Sequence, residues 1–211
     1  MKKEACIVFD MDGTLIDSSF AMTQSVNHVR AHLGLAPIEK EELEYYINQP
    51  DQHLPKIFYN TQEYDPSHKT LFREHYMATS TQHIALYPEV KEMLEFISER
   101  ATLGIATNAS DFFARHMLEH LGVINYFDGI VGANNVPEPK PNPQMLEYLM
   151  QSLEFEKEQT ILVGDSIKDE QAAQNADIPF IFVGWGYGKS ETASMRAQSI
   201  HELIGLFHIL I

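Results

Sequence analysis

Cysteine is nearly missing from this 211-residue sequence. Cys6 stands alone, so no disulfide can form within the chain and a packed core must hold the fold. Basic residues are scarce as well. Fifteen lysines and arginines face thirty aspartates and glutamates, for a formal net charge of −15. Nucleic acid and anionic membrane surfaces need basic faces, so neither is expected as a partner. No apolar run approaches the length of a membrane span. Lys2 and Lys3 precede only a short apolar run, too short for a signal peptide. These absences fit a cytoplasmic enzyme. Internal repeats and low-complexity segments are also missing. What is plentiful is apolar side chain, at 44% of residues, ample for a core. The length allows one domain, or one with a modest insert.

Short apolar runs at 5–9, 102–107, 129–133, 160–163 and 180–183 read as buried strands. Cys6 lies within the first and reads as a small core residue. Helical patterns separate the runs. Residues 88–100 begin with Pro88, suited to a first helical turn, and carry an apolar stripe of Val90, Met93, Leu94 and Ile97. Helices are also expected at 111–121 and 142–153, with Asp111 and Asn142 as N-caps and Gly122 closing the former. Residues 204–211 read as a docked last helix. Strands alternating with helices predict an α/β fold with a doubly wound parallel sheet. Residues 17–85 break the pattern. Helices are expected at 21–33, 39–47, 52–59 and 66–81, punctuated by Pro37, Pro50 and Pro66, with no strand among them.

Four clusters carry chemistry. Asp10-Met11-Asp12-Gly13-Thr14-Leu15 follows the first strand. Two carboxylates that close are unfavourable unless a cation lies between them or one binds a proton, so the stretch asks for a metal, an anionic reaction, or both. Gly13 permits a tight turn. Thr107-Asn108 follows the second strand and offers a hydroxyl and a backbone N–H. Lys140 sits between Pro139 and Pro141. Gly164-Asp165-Ser166-Ile167-Lys168-Asp169 follows the fourth strand, and its aspartates, four apart, share one face of a helix start. All but the lysine lie at strand C-termini, where open α/β sheets bind ligands. Alone, Asp-x-x-x-Asp would read as capping acids and Lys140 as a solvated lysine; the order of the four clusters favours a site.

In that order and spacing the chain resembles the haloacid dehalogenase (HAD) superfamily, within it the phosphoglycolate phosphatase-like branch. The resemblance implies a Rossmann-like core of residues 1–16 and 86–211, with 17–85 as a helical cap domain closing over the first motif. It implies a phosphatase acting on a small phosphorylated metabolite of the phosphoglycolate or sugar phosphate type, through an aspartyl-phosphate. Asp10 would be the nucleophile and Asp12 the general acid/base. Thr107, Asn108 and Lys140 would bind the transferring phosphoryl group. Asp10, the backbone carbonyl of Asp12, Asp165 and Asp169 would hold a metal. A hard cation with oxygen ligands points to Mg²⁺. The presence of Asp12 argues for phosphoryl chemistry over carbon–halogen cleavage. Asn48, where many relatives have glycine, and Ala109, where phosphoglycolate phosphatases often have lysine, depart from the pattern. The core motifs leave a pyrophosphatase, a phosphomutase and a non-catalytic binding protein open; the Arg-x-x-Ser cap pattern of the mutases is missing at Ile47-Asn48-Gln49-Pro50.

Other patterns carry less. Gly184 to Ser190 ends like a P-loop, but Val183 stands where its first glycine belongs, so a glycine-rich turn bordering the site is expected. His28/His32 and His116/His120 lack the zinc-protease glutamate. Gln49, Gln52, His53 and Lys56 are candidate substrate contacts, and their polarity suggests a hydrophilic substrate.

Overall fold

The computed structural model describes residues 3–190 and 192–210. Its main sheet has six parallel strands, β1 (Cys6–Phe9), β4 (Thr102–Thr107), β5 (Gly129–Gly132), β6 (Thr160–Gly164), β7 (Phe180–Val183) and β8 (Met195–Ala197), in the order β5-β4-β1-β6-β7-β8. A separate antiparallel ribbon pairs β2 (Ile16–Asp17) with β3 (Ala85–Leu86). The strands read as continuous apolar runs because helices cover both faces of the sheet. Alternation along β1 divides its side chains. Ile7 and Phe9 join a cluster with α5 (Val90–Ser98), α6 (Asp111–His120) and α9 (Ile200–Leu210). Cys6 and Val8 join another with α7 (Gln144–Leu153) and α8 (Ile167–Ala176). Burial pushes the Cys6 thiol up to about 12, as expected of a core residue.

Strand β1 is the switch point of the topology. The chain leaves it for β4 and β5 on one side and for β6, β7 and β8 on the other. That divergence opens a crevice at the C-terminal end of β1, directly above Asp10.

Between β2 and β3 lie α1 (Ser19–His32), α2 (Lys40–Asn48), α3 (Leu54–Tyr59) and α4 (Pro66–Thr79), followed by a 3₁₀ turn at Ser80–Gln82. They have a small core of their own, Val26, Val29, Ile38, Leu43, Phe58 and Tyr59. Polar clamps on backbone supplement it: Asn27 bonds both N–H and C=O of Ile38 (2.8 and 2.9 Å), and Arg30 donates to the carbonyl of Phe58 at 2.7 Å. Asp65 caps α4 by accepting from the Ser67 N–H at 2.7 Å, with Pro66 at the first helical position.

The five strands expected from the sequence form, and three that were not expected join them. β2 and β3 have two residues each, and β8 three, with only Ala197 buried; none is long enough to show an alternation. Pro88 lies before its helix rather than in it, because Glu89 takes a left-handed conformation (φ 65°) and α5 starts at Val90. Ser110, not Asp111, caps α6. Gly122 closes that helix with φ 70°, as read. Asn142 stands two residues before α7 and accepts from the Gln144 N–H at 3.1 Å. The last helix begins four residues earlier than the pattern indicated and docks Phe207 edge-on against Phe9 at 6.3 Å; Ile211 lies outside the described residues. No described helix is long and apolar enough to cross a membrane.

Candidate active site

The structure brings the four clusters together at the C-terminal edge of the sheet. Asp10 follows β1, Thr107 ends β4, Asp165 follows β6, and Lys140 arrives on the loop between β5 and α7. Lys140 is buried and bridges two carboxylates, with Nζ 2.7 Å from Asp10 Oδ1 and 2.5 Å from Asp169 Oδ1. Oxygens of Asp10, Asp165 and Asp169 all lie within 4.8 Å of one another, and all three residues are buried.

Each group is fixed by its neighbours. Asp169 sits at the third position of α8 in a capping box: its Oδ2 accepts from the Ser166 N–H (3.1 Å) and hydroxyl (2.5 Å), and the Ser166 hydroxyl caps the Asp169 N–H. Asp165 Oδ2 accepts from the N–H groups of Tyr187 (2.8 Å) and Gly188 (3.0 Å) in the loop after β7, and Oδ1 takes the Thr14 hydroxyl at 3.3 Å. Gly13 turns with φ 87°, and a Cβ there, as at Gly186, would collide with the Asp165 carboxylate. Asp12 points elsewhere, accepting from the hydroxyls of Ser18 and, at 3.4 Å, Thr107. Its carboxylate therefore stands apart from the three-aspartate group.

These surroundings set the protonation behaviour. Burial, reinforced by Asp169, Asp165 and Asp12 and opposed by Lys140, raises Asp10 well above the usual carboxylate range. Burial also raises Asp12, against hydrogen bonds from Ser18 and Thr107 and the Lys140 charge. Asp165 is pushed up to about 7 by burial and by Asp169, against its two backbone donors. Burial disfavours the Lys140 charge, yet Asp10 and Asp169 lift its pKa above the ordinary lysine range. Three carboxylates share one ammonium. A divalent cation would relieve that excess, and an all-oxygen donor set suits a hard ion. The residues thus fit a metal of the Mg²⁺ kind.

Several contributors were not read as such in the sequence. The Asn108 side chain clamps the Lys140 backbone, donating to its carbonyl (2.8 Å) and accepting from its N–H (3.0 Å), so Asn108 holds the lysine loop in addition to any backbone N–H it offers. Tyr187 works at both ends. Its N–H holds Asp165, and its hydroxyl accepts from the N–H groups of Ser18 (2.6 Å) and Ser19 (3.1 Å) where the chain enters the helices. The glycine-rich loop does border the site, as expected. It is moored by buried Glu170, which accepts from Ser190 (2.6 Å) and Thr192 (2.5 Å). Lys168 donates to the Ile47 carbonyl at 2.6 Å, tying α8 to the end of α2. The Ser166-x-x-Asp169 box was legible; the rest depend on contacts between distant segments.

Above Asp10 opens a cavity of about 930 Å³, floored by Asp10, Asp12, Thr107, Lys140 and Asp169 and walled by α1, α3, α4 and α6. Of the four polar residues suggested as substrate contacts only Gln52 lines it. Lys56 instead donates to Asn60 at 2.6 Å on the exposed side of α3. The wall exposes mostly apolar and aromatic surface, with His68, Lys69, Arg73 and Lys168 adding basic groups.

A switch-point crevice with buried aspartates and one bridging lysine defines a hydrolase of the haloacid dehalogenase type, and the chain belongs to that family: residues 7–183 match the haloacid dehalogenase-like hydrolases. Phosphoglycolate phosphatase of Chromobacterium violaceum is 30% identical, the match covering 98% of this chain and 97% of the relative. That of Rhodobacter capsulatus is 31% identical over 95% and 94%. A haloacid dehalogenase-like hydrolase from Streptococcus pneumoniae superposes with TM-score 0.83 at 25% identity, covering 96% of this chain and 98% of that one. These relatives place the chain among the phosphatases of the family.

Proposed function

We propose that the protein is a Mg²⁺-dependent phosphatase that hydrolyses a small phosphomonoester through an aspartyl-phosphate on Asp10. The observation that carries this is the Asp10 carboxylate held by Lys140 at 2.7 Å beside Asp165 and Asp169, on the floor of a cavity. Lys140, itself held by Asp169, orients Asp10 through Oδ1; no hydrogen bond reaches its Oδ2 among the described residues, and that oxygen attacks phosphorus. As the bond from phosphorus to the alcohol oxygen breaks, Asp12 delivers the leaving proton. Burial raises its pKa, the direction that suits a group delivering a proton. Asp12 then takes a proton from water, which attacks the acyl-phosphate and frees phosphate and Asp10.

Lys140, the Thr107 hydroxyl and the Asn108 N–H stabilise charge on the transferring group. Asp10, Asp165 and Asp169, with the Asp12 carbonyl, would hold Mg²⁺, which supplies positive charge beside the phosphoryl oxygens. Residues 17–85 act as a cap domain on a core of 1–16 and 86–211, excluding water during transfer. The relatives' names support a small phosphate ester as the substrate class.

The test is phosphate release from a panel of phosphorylated metabolites and pyrophosphate, with Mg²⁺ or EDTA, for wild type and Asp10→Asn. Mg²⁺-dependent release lost in Asp10→Asn is expected. Preference for pyrophosphate, or transfer to a second hydroxyl without release, would overturn the phosphomonoesterase reading. Complete inactivity of the wild type would overturn the enzymatic one.

A further inference from the structure

The cavity over Asp10 is far larger than a two-carbon ester needs. At about 930 Å³ it lies near the upper end of the roughly 300–1,000 Å³ of pockets that enclose drug-sized ligands. Its two ends differ in chemistry. The floor is charged and holds the phosphoryl group. The opposite wall carries Phe72 and Tyr76 from α4, with His68, Lys69 and Arg73 of the same helix beside them, and Phe112 and Phe113 from the start of α6. Phe72 stacks on Tyr76 (5.5 Å between ring centres, 11° between planes), and Phe113 meets both edge-on at 6.3 and 5.1 Å.

Phe112 continues this group at 6.0 Å from Phe113 and is 56% exposed. Its ring also lines the cavity, where an occupant can cover it. The position fits a substrate. Thr107 ends β4 and Phe112 lies five residues on, so one short segment presents both the phosphate-binding hydroxyl and the ring. Asp10 and these rings line the same cavity, so an ester anchored on Asp10 has the rings within its pocket.

We propose, building on the phosphatase reading above, that the substrates are phosphomonoesters whose alcohol bears a planar ring, with the ring lodged against Phe112, Phe113 and Phe72. Rings pack edge-on or offset against such a wall. Phosphoglycolate is then a poor substrate, because it leaves the wall uncovered.

The experiment compares 2-phenylethyl phosphate, ethyl phosphate and phosphoglycolate, with Mg²⁺. The first two share a primary alkoxide leaving group and differ by the ring. The expected kcat/KM is at least about tenfold higher for the phenylethyl ester, expressed mainly in KM. Phe112→Ala, on the surface, and Phe112→Leu, apolar but without a ring, should both shrink that ratio, with alanine acting more strongly. The ratio is taken within one preparation, so partial misfolding cancels. Equal kcat/KM for the two esters, a preference for phosphoglycolate, or an unchanged ratio in Phe112→Ala would overturn the proposal and leave the phosphatase reading standing. No release from any of the three would overturn both.

Discussion

The sheet edge that carries the site and the helices that roof it are built to different standards. At the sheet edge every carboxylate except Asp10 has hydrogen bonds on both oxygens, glycines leave no room around Asp165, and Asp10, Asp165 and Asp169 are buried. In the helices α2 buries one residue, Leu43, and α4 one, Tyr76, and much of the internal holding is done by Asn27 and Arg30 on backbone. Chemistry at phosphorus needs groups fixed in place. A wall that recognises an alcohol needs only shape and apolar surface. The contrast also sets which changes the two regions tolerate.

The largest effect is expected from Asp10→Asn, which keeps the shape of the pocket and removes the attacking carboxylate. Turnover should fall by about 10⁴-fold or more, with a circular dichroism spectrum like that of the wild type; residual activity within tenfold would end the nucleophile assignment. Gly186→Ala comes next. The added Cβ runs into the Gly13 carbonyl and Asp165, so a loss of about 2 kcal/mol or more is expected in urea unfolding, together with weaker Mg²⁺ dependence of turnover. In the helices, Lys56→Ala is the contrast. It should change stability by less than about 0.5 kcal/mol and leave kcat unchanged.

The two regions should also answer pH with opposite signs. The folded pKa of Asp165, about 7, is above its unfolded value. Its contribution to stability is therefore complete below about pH 4 and lost as pH rises toward 7. Mg²⁺ binds the ionised form, so the rise in Tm on adding Mg²⁺ should be larger at pH 8 than at pH 5; a constant rise would contradict the shared carboxylate site. His75 of α4 is shifted the other way, lowered by burial and by His28, on which it stacks at 4.3 Å. Its contribution is present above the ordinary histidine pKa and lost as pH falls through about 6.5. His75→Gln should flatten this small acid-side slope in thermal unfolding without altering the Mg²⁺ response.

The same contrast explains what could be read from the sequence. Asp10, Thr107, Asp165 and Asp169 were legible because each follows an apolar run whose end the sheet brings to one edge, and because the chemistry fixes residue type. Lys140 was legible only by its place in the order, since nothing local distinguishes a lysine between prolines. The helices α1 to α4 were legible as helices, within about two residues. Which residues would look into the cavity was not: Gln49, His53 and Lys56 lie outside its lining, because that is decided by how the helices pack, a tertiary fact. The contributions of Tyr187, Asn108 and Glu170 belong to the same kind, since each joins segments twenty or more residues apart.

Tyr187 has a thermodynamic consequence. One residue grips the carboxylate of Asp165 with its main chain and the entry of the helical segment with its hydroxyl. The Asp165 carboxylate and the entry of the helical segment are thus joined through this one residue. Linkage between two equilibria joined in this way is reciprocal. A cation at Asp165 that favoured one position of the segment would bias it by a given free energy, and an ester favouring the same position would strengthen cation binding by the same amount. Tyr187→Phe keeps the main-chain grip and cuts the other, so it would uncouple the order in which metal and ester bind while leaving both sites intact.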